Sequence, residues 1–445
     1  MTTNNKLIPP ASVRGMTKLD KDQFRLDIKL PCLHVEAVDV SRVIGIPVVR
    51  QTTLQKLDIL KPLVKSPDFP TQKSVLFDPE RWSDERKADL DKALSAVGVN
   101  EYRFGTYPIT LDFDHWDMKR IFESILPEKL RFSGFSQIGH IVHCNLIEEL
   151  LPYKFIIGEI LLNKVKSCKT VVNKLDSIDN EFRNFKMELL AGEDNFVAEV
   201  KEAGCRYRLD FSKVFWNSRL STEHERLSEK FPTGSVVYDV FAGVGPFVIP
   251  AAKRGKKRAV RAILANDLNP DSVKYLRENV KLNNVAELVT AYNLDGAEFI
   301  RQVISEDLKK RHSSANGETS SAQVAMNLPA IAVTFLPNFI GILNDFDGSS
   351  LGFPVIIHCY LFSKIKQPDP DSAMFAEDAK KQVRDSLKCP DLVIDDIHHV
   401  RNVAPNKEMM CVSFEMPFAL MKSASVVGDS DAADVEPVAK RMKEE

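Results

Sequence analysis

Four apolar runs after Lys230 each end in a polar residue at a nearly fixed interval: Val236-Val237-Tyr238-Asp239, Ile263-Leu264-Ala265-Asn266-Asp267, Val289 to Asp295, and Val324-Ala325-Met326-Asn327. Asp239, Asp267 and Asp295 are 28 residues apart, and Asn327 follows 32 later, the length of a strand, a crossover helix and the next strand. The polar residues therefore line the carboxyl ends of parallel strands, the edge where an open α/β sheet binds ligands. Three further runs, Pro354 to Phe362, Leu392 to Ile397 and Glu408 to Phe414, bring the expected sheet to seven strands, the last two pairing as an antiparallel edge. The segment His312 to Gln323 interrupts one crossover with turn formers and reads as a surface loop.

Upstream, Phe24 to Leu30 and Leu33 to Val43 alternate apolar and polar residues, and Asp84 to Val97 has helical spacing with Gly98 as its stop. These suggest a small α/β module over residues 25–100. A second over 101–200 is expected from a strand at Tyr107 to Phe113, helices at Trp116 to Leu126 and Ile141 to Leu151, and strands near Ser136 to His140 and Glu181 to Leu189. The predicted order is thus an arm at 1–24, disordered; the two modules; a sheet domain at 201–422; and a disordered tail at 423–445. With 44% hydrophobic and 27% charged residues the chain has an ordinary globular composition. A formal net charge of −2 means that an anionic partner must meet local basic patches, such as Lys154 to Lys174 and Lys253 to Arg261. The seven cysteines lie far apart with no C-x-x-C pair, which fits neither a zinc ribbon nor a disulfide framework. His140 and His143 have no third ligand at suitable spacing, so no metal is expected. No apolar run approaches the roughly 20 residues of a membrane span. The first 24 residues have neither a signal-peptide core nor the basic character of a presequence.

The chemistry is carried by Asp239-Val-Phe241-Ala-Gly243-Val-Gly245-Pro-Phe, a strand, a glycine turn and an apolar helix start. A nicotinamide fingerprint requires glycine where Val248 stands, which disfavours a dinucleotide. Asp267 is placed to accept both hydroxyls of a ribose, and Asp295 to meet an adenine amino group. Together they describe an S-adenosylmethionine site, with Asp239, Phe241, Gly243, Gly245, Asp267, Leu268, Asp295, Gly296 and Asn327 as its candidate residues. Asn327-Leu328-Pro329 ends the fourth strand, where an amide offers a donor and an acceptor to a nucleobase edge. Ala330 follows it, in place of the aromatic platform of an N6-adenine methyltransferase.

On Gln137-Ile-Gly139-His140-Ile141, Leu151-Pro-Tyr-Lys154, Phe182-Arg183, Phe215-Trp216-Asn217-Ser218-Arg219-Leu220-Ser221-Thr222-Glu223, Asp239 to Phe247, Asn327 to Pro329 and Val400-Arg401 to Phe414, the chain resembles the archaeal and eukaryotic class I tRNA (guanine-37-N1)-methyltransferases from about Phe24 to Phe418. The resemblance implies a class I Rossmann-like α/β methyltransferase domain behind two smaller α/β domains, the first of which touches the outer corner of tRNA. It implies methylation of guanosine 37, supporting reading-frame maintenance, by a monomer that is cytoplasmic with nuclear and mitochondrial matrix pools. It also implies Glu223 as general base, Arg183 on the target guanine and Asn327 as the base-positioning amide. Ser218 stands where the family often has proline, a change expected to loosen a turn. Two other readings remain open: the wyosine-pathway aminocarboxypropyl transferase and a non-catalytic tRNA-binding protein. Asn327 to Pro329 and Gly245 to Phe247 favour methyl transfer.

Overall fold

The computed structural model describes residues 7–54, 57, 59–66, 69–132, 134–178, 185–255, 259–313 and 319–424. The chain divides into two compact units: Met1–Lys174 with Glu188–Asp194, and Leu175–Met187 with Asn195–Glu445.

In the first unit, β1 (Leu26–Glu36), β2 (Leu63–Lys65), β3 (Gln72–Leu76) and β4 (Tyr102–Leu111) form an antiparallel sheet in the order β2-β3-β1-β4. The strand expected at Tyr107 is therefore the edge partner of β1, in register from Leu26 opposite Leu111 to Val35 opposite Tyr102. The helix Asp84–Ala96 begins where Ser83 accepts the Arg86 N–H and stops before Gly98 at φ +74°, a left-handed position that glycine takes without strain. A second sheet follows from β5 (Phe135–Ile138), β6 (Ile141–Cys144), β7 (Thr170–Ile178) and β8 (Phe185–Gly192), in sequential order. The helix expected over Ile141 to Leu151 is not formed. Ile141-Val142 pairs between β5 and β7, as suits β-branched residues, and only Glu148–Tyr153 turns, as a 3-10 helix. The expected arm is also folded from residue 7: Leu7, Val13 and Phe24 are buried in the same core as Trp116 and Ile157. A few apolar anchors in an otherwise polar segment are enough to fix it there.

The second unit opens with the hairpin β9 (Val197–Glu202) and β10 (Cys205–Asp210). Its main sheet comprises β11 (Val236–Asp239), β12 (Ala262–Asn266), β13 (Val289–Tyr292), β14 (Ala322–Met326), β15 (Val355–Lys364), β16 (Asp396–Ala404) and β17 (Lys407–Glu415). The order is β13-β12-β11-β14-β15-β17-β16, parallel from β13 to β15 and antiparallel beyond. The run expected at Leu392 to Ile397 pairs later, from Asp396 on. The crossover after β13 continues as helix to Ser313, so the expected loop is shorter at its start. The sheet buries one face under Phe299, Leu336, Phe339, Phe375 and Val383. The switch of strand order at β11, with β12 on one side and β14 on the other, leaves the crevice in which the site lies.

Candidate active site

β11 is flanked by parallel neighbours, so its backbone is satisfied and its last residue is buried: Asp239 has 0% exposure. The chain then turns through Gly243 at φ +54° and Gly245 at φ +97°. The positive φ at Gly245 favours glycine, and a Cβ there would lie 2.8 Å from Leu276 Cδ1 and 2.9 Å from Ile249 Cδ1, so those side-chain ends would have to shift. Asn266, buried at the end of β12, clasps three strand ends. Its amide donates to the carbonyls of Val240 (3.2 Å) and Leu294 (3.0 Å), and its oxygen accepts the Leu294 N–H (2.9 Å). Asn293 donates to the carbonyls of Asp267 and Leu268. These asparagines hold the loops against one another before any ligand arrives.

Asp267 is half-buried. One oxygen accepts the Gly243 N–H at 2.8 Å and the other the Asn269 N–H at 2.9 Å. The Ser272 hydroxyl also bonds this carboxylate, which leaves about one of its roughly four lone-pair sites for a further donor. Burial raises its pKa against those two N–H groups and the Ser272 hydroxyl. Asp239 is raised to about 8, chiefly by burial and also by the charge of Asp267, with the Phe241 N–H opposing. Asp239 Oδ1 accepts that N–H at 3.2 Å, while Oδ2 has no hydrogen-bond partner among the described residues. Asp295 is exposed and caps the next helix by accepting the Ala297 N–H at 2.8 Å. Leu268 beside it is 41% exposed.

Asn327 leaves the end of β14 with its Oδ1 buried and, among the described residues, unpartnered. The Leu328 carbonyl accepts the N–H groups of Ile331 and Ala332, and the Phe362 N–H donates to Pro329, so the turn is fastened to β15. Phe335 in the following 3-10 helix meets Phe241 edge-on, with centroids 5.1 Å apart and planes at 80°. Gly296 sits under this pair, since a Cβ there would lie 2.9 Å from Phe241 Cε1 and 3.1 Å from Phe335 Cε1. Two orphaned buried oxygens on adjacent strands, a carboxylate with acceptor capacity to spare and an aromatic wall fit a cationic, donor-rich molecule carrying a ribose, which S-adenosylmethionine is.

Glu223 lies on the helix Ser221–Lys230 and is 4% exposed. Arg226 grips it with a fork, Nε to Oε2 and Nη2 to Oε1, both 2.6 Å. The Tyr360 hydroxyl donates to Oε1 at 2.6 Å, and His398 Nε2 lies 3.3 Å from Oε2. Because Met326 pairs with Cys359 in β15, Tyr360 follows at the level of Asn327. Its ring lies 5.7 Å from that of Phe247 in the glycine turn. Glu223 and the strand ends thus belong to one neighbourhood of the second unit. Arg183 lies outside the described residues. The turn before Glu223 is closed by Asn217, whose side chain accepts the Arg219 N–H and whose carbonyl accepts that of Leu220, so the side chain at 218 is not what holds it. Arg226 could have been found from its helical spacing to Glu223. Tyr360 and His398 arrive from distant strands and left no local signal. Of the basic residues expected to meet phosphate, Lys154 pairs with Glu188 at 2.6 Å, and Lys253 and Arg254 donate to the carbonyls of Gly204, Ser228 and Phe231.

A sheet of this order, with the glycine turn after its central strand and acidic residues ending the next two crossings, defines a class I, Rossmann-like methyltransferase. The TRM5/TYW2 methyltransferase domain matches residues 198–367 and the TYW2 N-terminal domain residues 118–195. A tRNA (guanine(37)-N(1))-methyltransferase of Caenorhabditis elegans is 40% identical, covering 98% of this chain and 97% of its own. The Homo sapiens protein of that name is 39% identical over 93% of this chain and 78% of its own. The chain belongs to the tRNA (guanine(37)-N1)-methyltransferase family. Its fold is that of a solved complex of aTrm5 with tRNALeu, at TM-score 0.60 and 21% identity over 87% of this chain and 99% of that one, and of Trm5b from Pyrococcus abyssi, at TM-score 0.56 and 23% identity over the same shares.

Proposed function

We propose that this chain methylates N1 of guanosine 37 in tRNA with S-adenosylmethionine. The observation that carries the reading is similarity along nearly the whole chain, both units included, to proteins named for that reaction. S-adenosylmethionine supplies an electrophilic methyl group when bound. Asp239, Asp267, Asp295 and Asn327 would hold it, with Phe241, Gly243, Gly245, Leu268 and Gly296 shaping the pocket around them.

The remaining work falls to the chain's own side chains. Guanine N1 bears a proton that must leave as the new bond forms, and Glu223 is the base we assign to it. Charge then gathers on O6. Arg183 is assigned to that oxygen, because a guanidinium both stabilises it and discriminates against adenine, which presents a donor there. The fork of Arg226 and the Tyr360 hydroxyl fix the carboxylate's orientation. The chain is proposed to act as a monomer, in the cytoplasm with nuclear and mitochondrial pools, to be checked by light scattering and by fractionation.

The experiment is nucleoside mass analysis of unmodified tRNA after incubation with S-adenosylmethionine. One methyl on guanosine 37 is expected. An aminocarboxypropyl adduct would instead place the chain with the other enzyme sharing its domain type, and no adduct would leave a binding protein.

A further inference from the structure

A buried base must lose the proton it has taken before it can act again, and Glu223 is almost wholly enclosed. Among the described residues three side chains reach its oxygens: Arg226, Tyr360 and His398. Arg226 is a cation with no lone pair to offer. Tyr360 already donates its hydroxyl hydrogen to Glu223 and is itself fully enclosed, 0% exposed. His398 alone has a ring nitrogen able to take a proton. It also has a way out, since 38% of its side chain is exposed on the edge strand β16. The register places it in one row with the others, His398 opposite Cys411 and Cys411 opposite Tyr360.

We infer that His398 relays the N1 proton from Glu223 to solvent. The inference rests on the reading of Glu223 as general base. The N1–methyl bond forms as the carbon–sulfur bond breaks, with its electron pair left on sulfur. The N1–H electron pair stays with the base and the proton passes to the Glu223 carboxylate. The protonated carboxyl then gives that proton to His398 Nε2, and the imidazolium gives a proton to water, so that Glu223 is an anion again. His398 touches no reacting atom and acts only through Glu223, as a positioning residue does.

Its surroundings suit the task. Glu223, Arg226 and Lys230 face it from the helix, Tyr360 and Cys411 from β15 and β17, and Asp396 from its own strand. Burial, Arg226 and Lys230 lower its pKa against the pull of Glu223 and Asp396. The imidazole is thus biased toward its neutral, proton-accepting form.

The test is steady-state methylation of unmodified tRNA by His398→Gln, across pH and with added imidazole, alongside Glu223→Gln. Relay predicts that kcat falls about tenfold or more with little change in KM for tRNA, and that imidazole raises the rate of the variant in proportion to its concentration but not that of the wild type. It also predicts that the acid limb of the wild-type profile, where His398 is already protonated, is absent from the variant. A kcat within about twofold of wild type, or a loss that imidazole does not relieve with the acid limb intact, overturns the relay. If Glu223→Gln is inactive while His398→Gln is normal, the relay alone fails. If Glu223→Gln keeps wild-type activity, the assignment of the base fails and the relay with it.

Discussion

Glu223 is held by a charged fork, a hydroxyl and an imidazole at once, so replacing it tests both chemistry and packing. Glutamine keeps the shape but turns a donor toward one arm of Arg226, at a cost of about 1 to 3 kcal/mol. Cofactor affinity, measured by calorimetry, is the control for that disturbance. Single-turnover methylation by Glu223→Gln should fall by about 10² to 10⁴-fold, and the loss should shrink as pH rises and hydroxide supplies the deprotonated guanine. Arg183→Lys should slow the same step without that rescue, since an ammonium lacks the planar fork. Asp267→Ala removes both the proposed ribose acceptor and the bond that steadies Gly243. The cofactor dissociation constant should rise about tenfold or more while tRNA affinity holds, and unchanged calorimetry would sink the assignment. Asp239 gives a pH signature. Its folded pKa, about 8, lies above its ordinary 3.8, so its carboxyl favours the fold fully below the ordinary value and loses that contribution as pH rises through the folded one. Ligand-free Asp239→Asn should therefore lack this part of the wild type's alkaline loss of stability, which thermal melts from about pH 4 to about pH 9 would reveal.

At the scale of elements, the glycine turn is fixed by what surrounds it. Gly245→Ala combines a positive φ with contacts below 3 Å to Leu276 and Ile249, so destabilisation of about 1 to 3 kcal/mol is expected in denaturant melts. The parallel strands were legible because burial on both faces writes them as apolar runs, each closed by an Asp or Asn. Ile141 to Leu151 was misread because an apolar stretch of strand length carries no period of its own, and only pairing with β5 and β7 decides it. The candidate site was legible where it sits on strand ends and obscure where it depends on contacts across the sheet. The Asp239 and Asn327 signals are local, whereas the enclosure of Glu223 joins residues 137 and 175 positions apart. Asn266 carries no signal of its own beside Asp267, yet an amide at a strand end is as well suited to clasp neighbouring loops as a carboxylate is to hold a ligand.

At the scale of the molecule, the core formed by Leu33, Val43, Val75, Phe77, Leu90 and Leu94 belongs to residues 33–104 alone. Trp82 closes it by stacking on Phe77, with centroids 4.0 Å apart and planes at 7°. Trp82→Ala, at a partly buried position, should loosen that module by about 1 to 3 kcal/mol and leave the cofactor site untouched. If the module grips tRNA away from guanosine 37, methylation of intact tRNA should fall in kcat/KM while an anticodon stem-loop is spared, and equal losses on both would show that it only supports the fold.

The helix Pro270–Leu282 and its cap do one thing more. The Asn279 oxygen accepts the Arg208 N–H at 2.7 Å and its amide donates to the Arg208 carbonyl at 3.1 Å; Asn283 does the same for Arg206 at 3.0 and 2.7 Å. Two side-chain amides thus imitate a neighbouring strand along the open border of β10. A border whose donors and acceptors are already taken offers nothing for another chain to pair with. Crowded or concentrated, β10 is closed along this border to intermolecular pairing, and because the Asn279 amide also donates to the Val244 carbonyl at 3.2 Å, the same side chain ties the hairpin to the glycine turn.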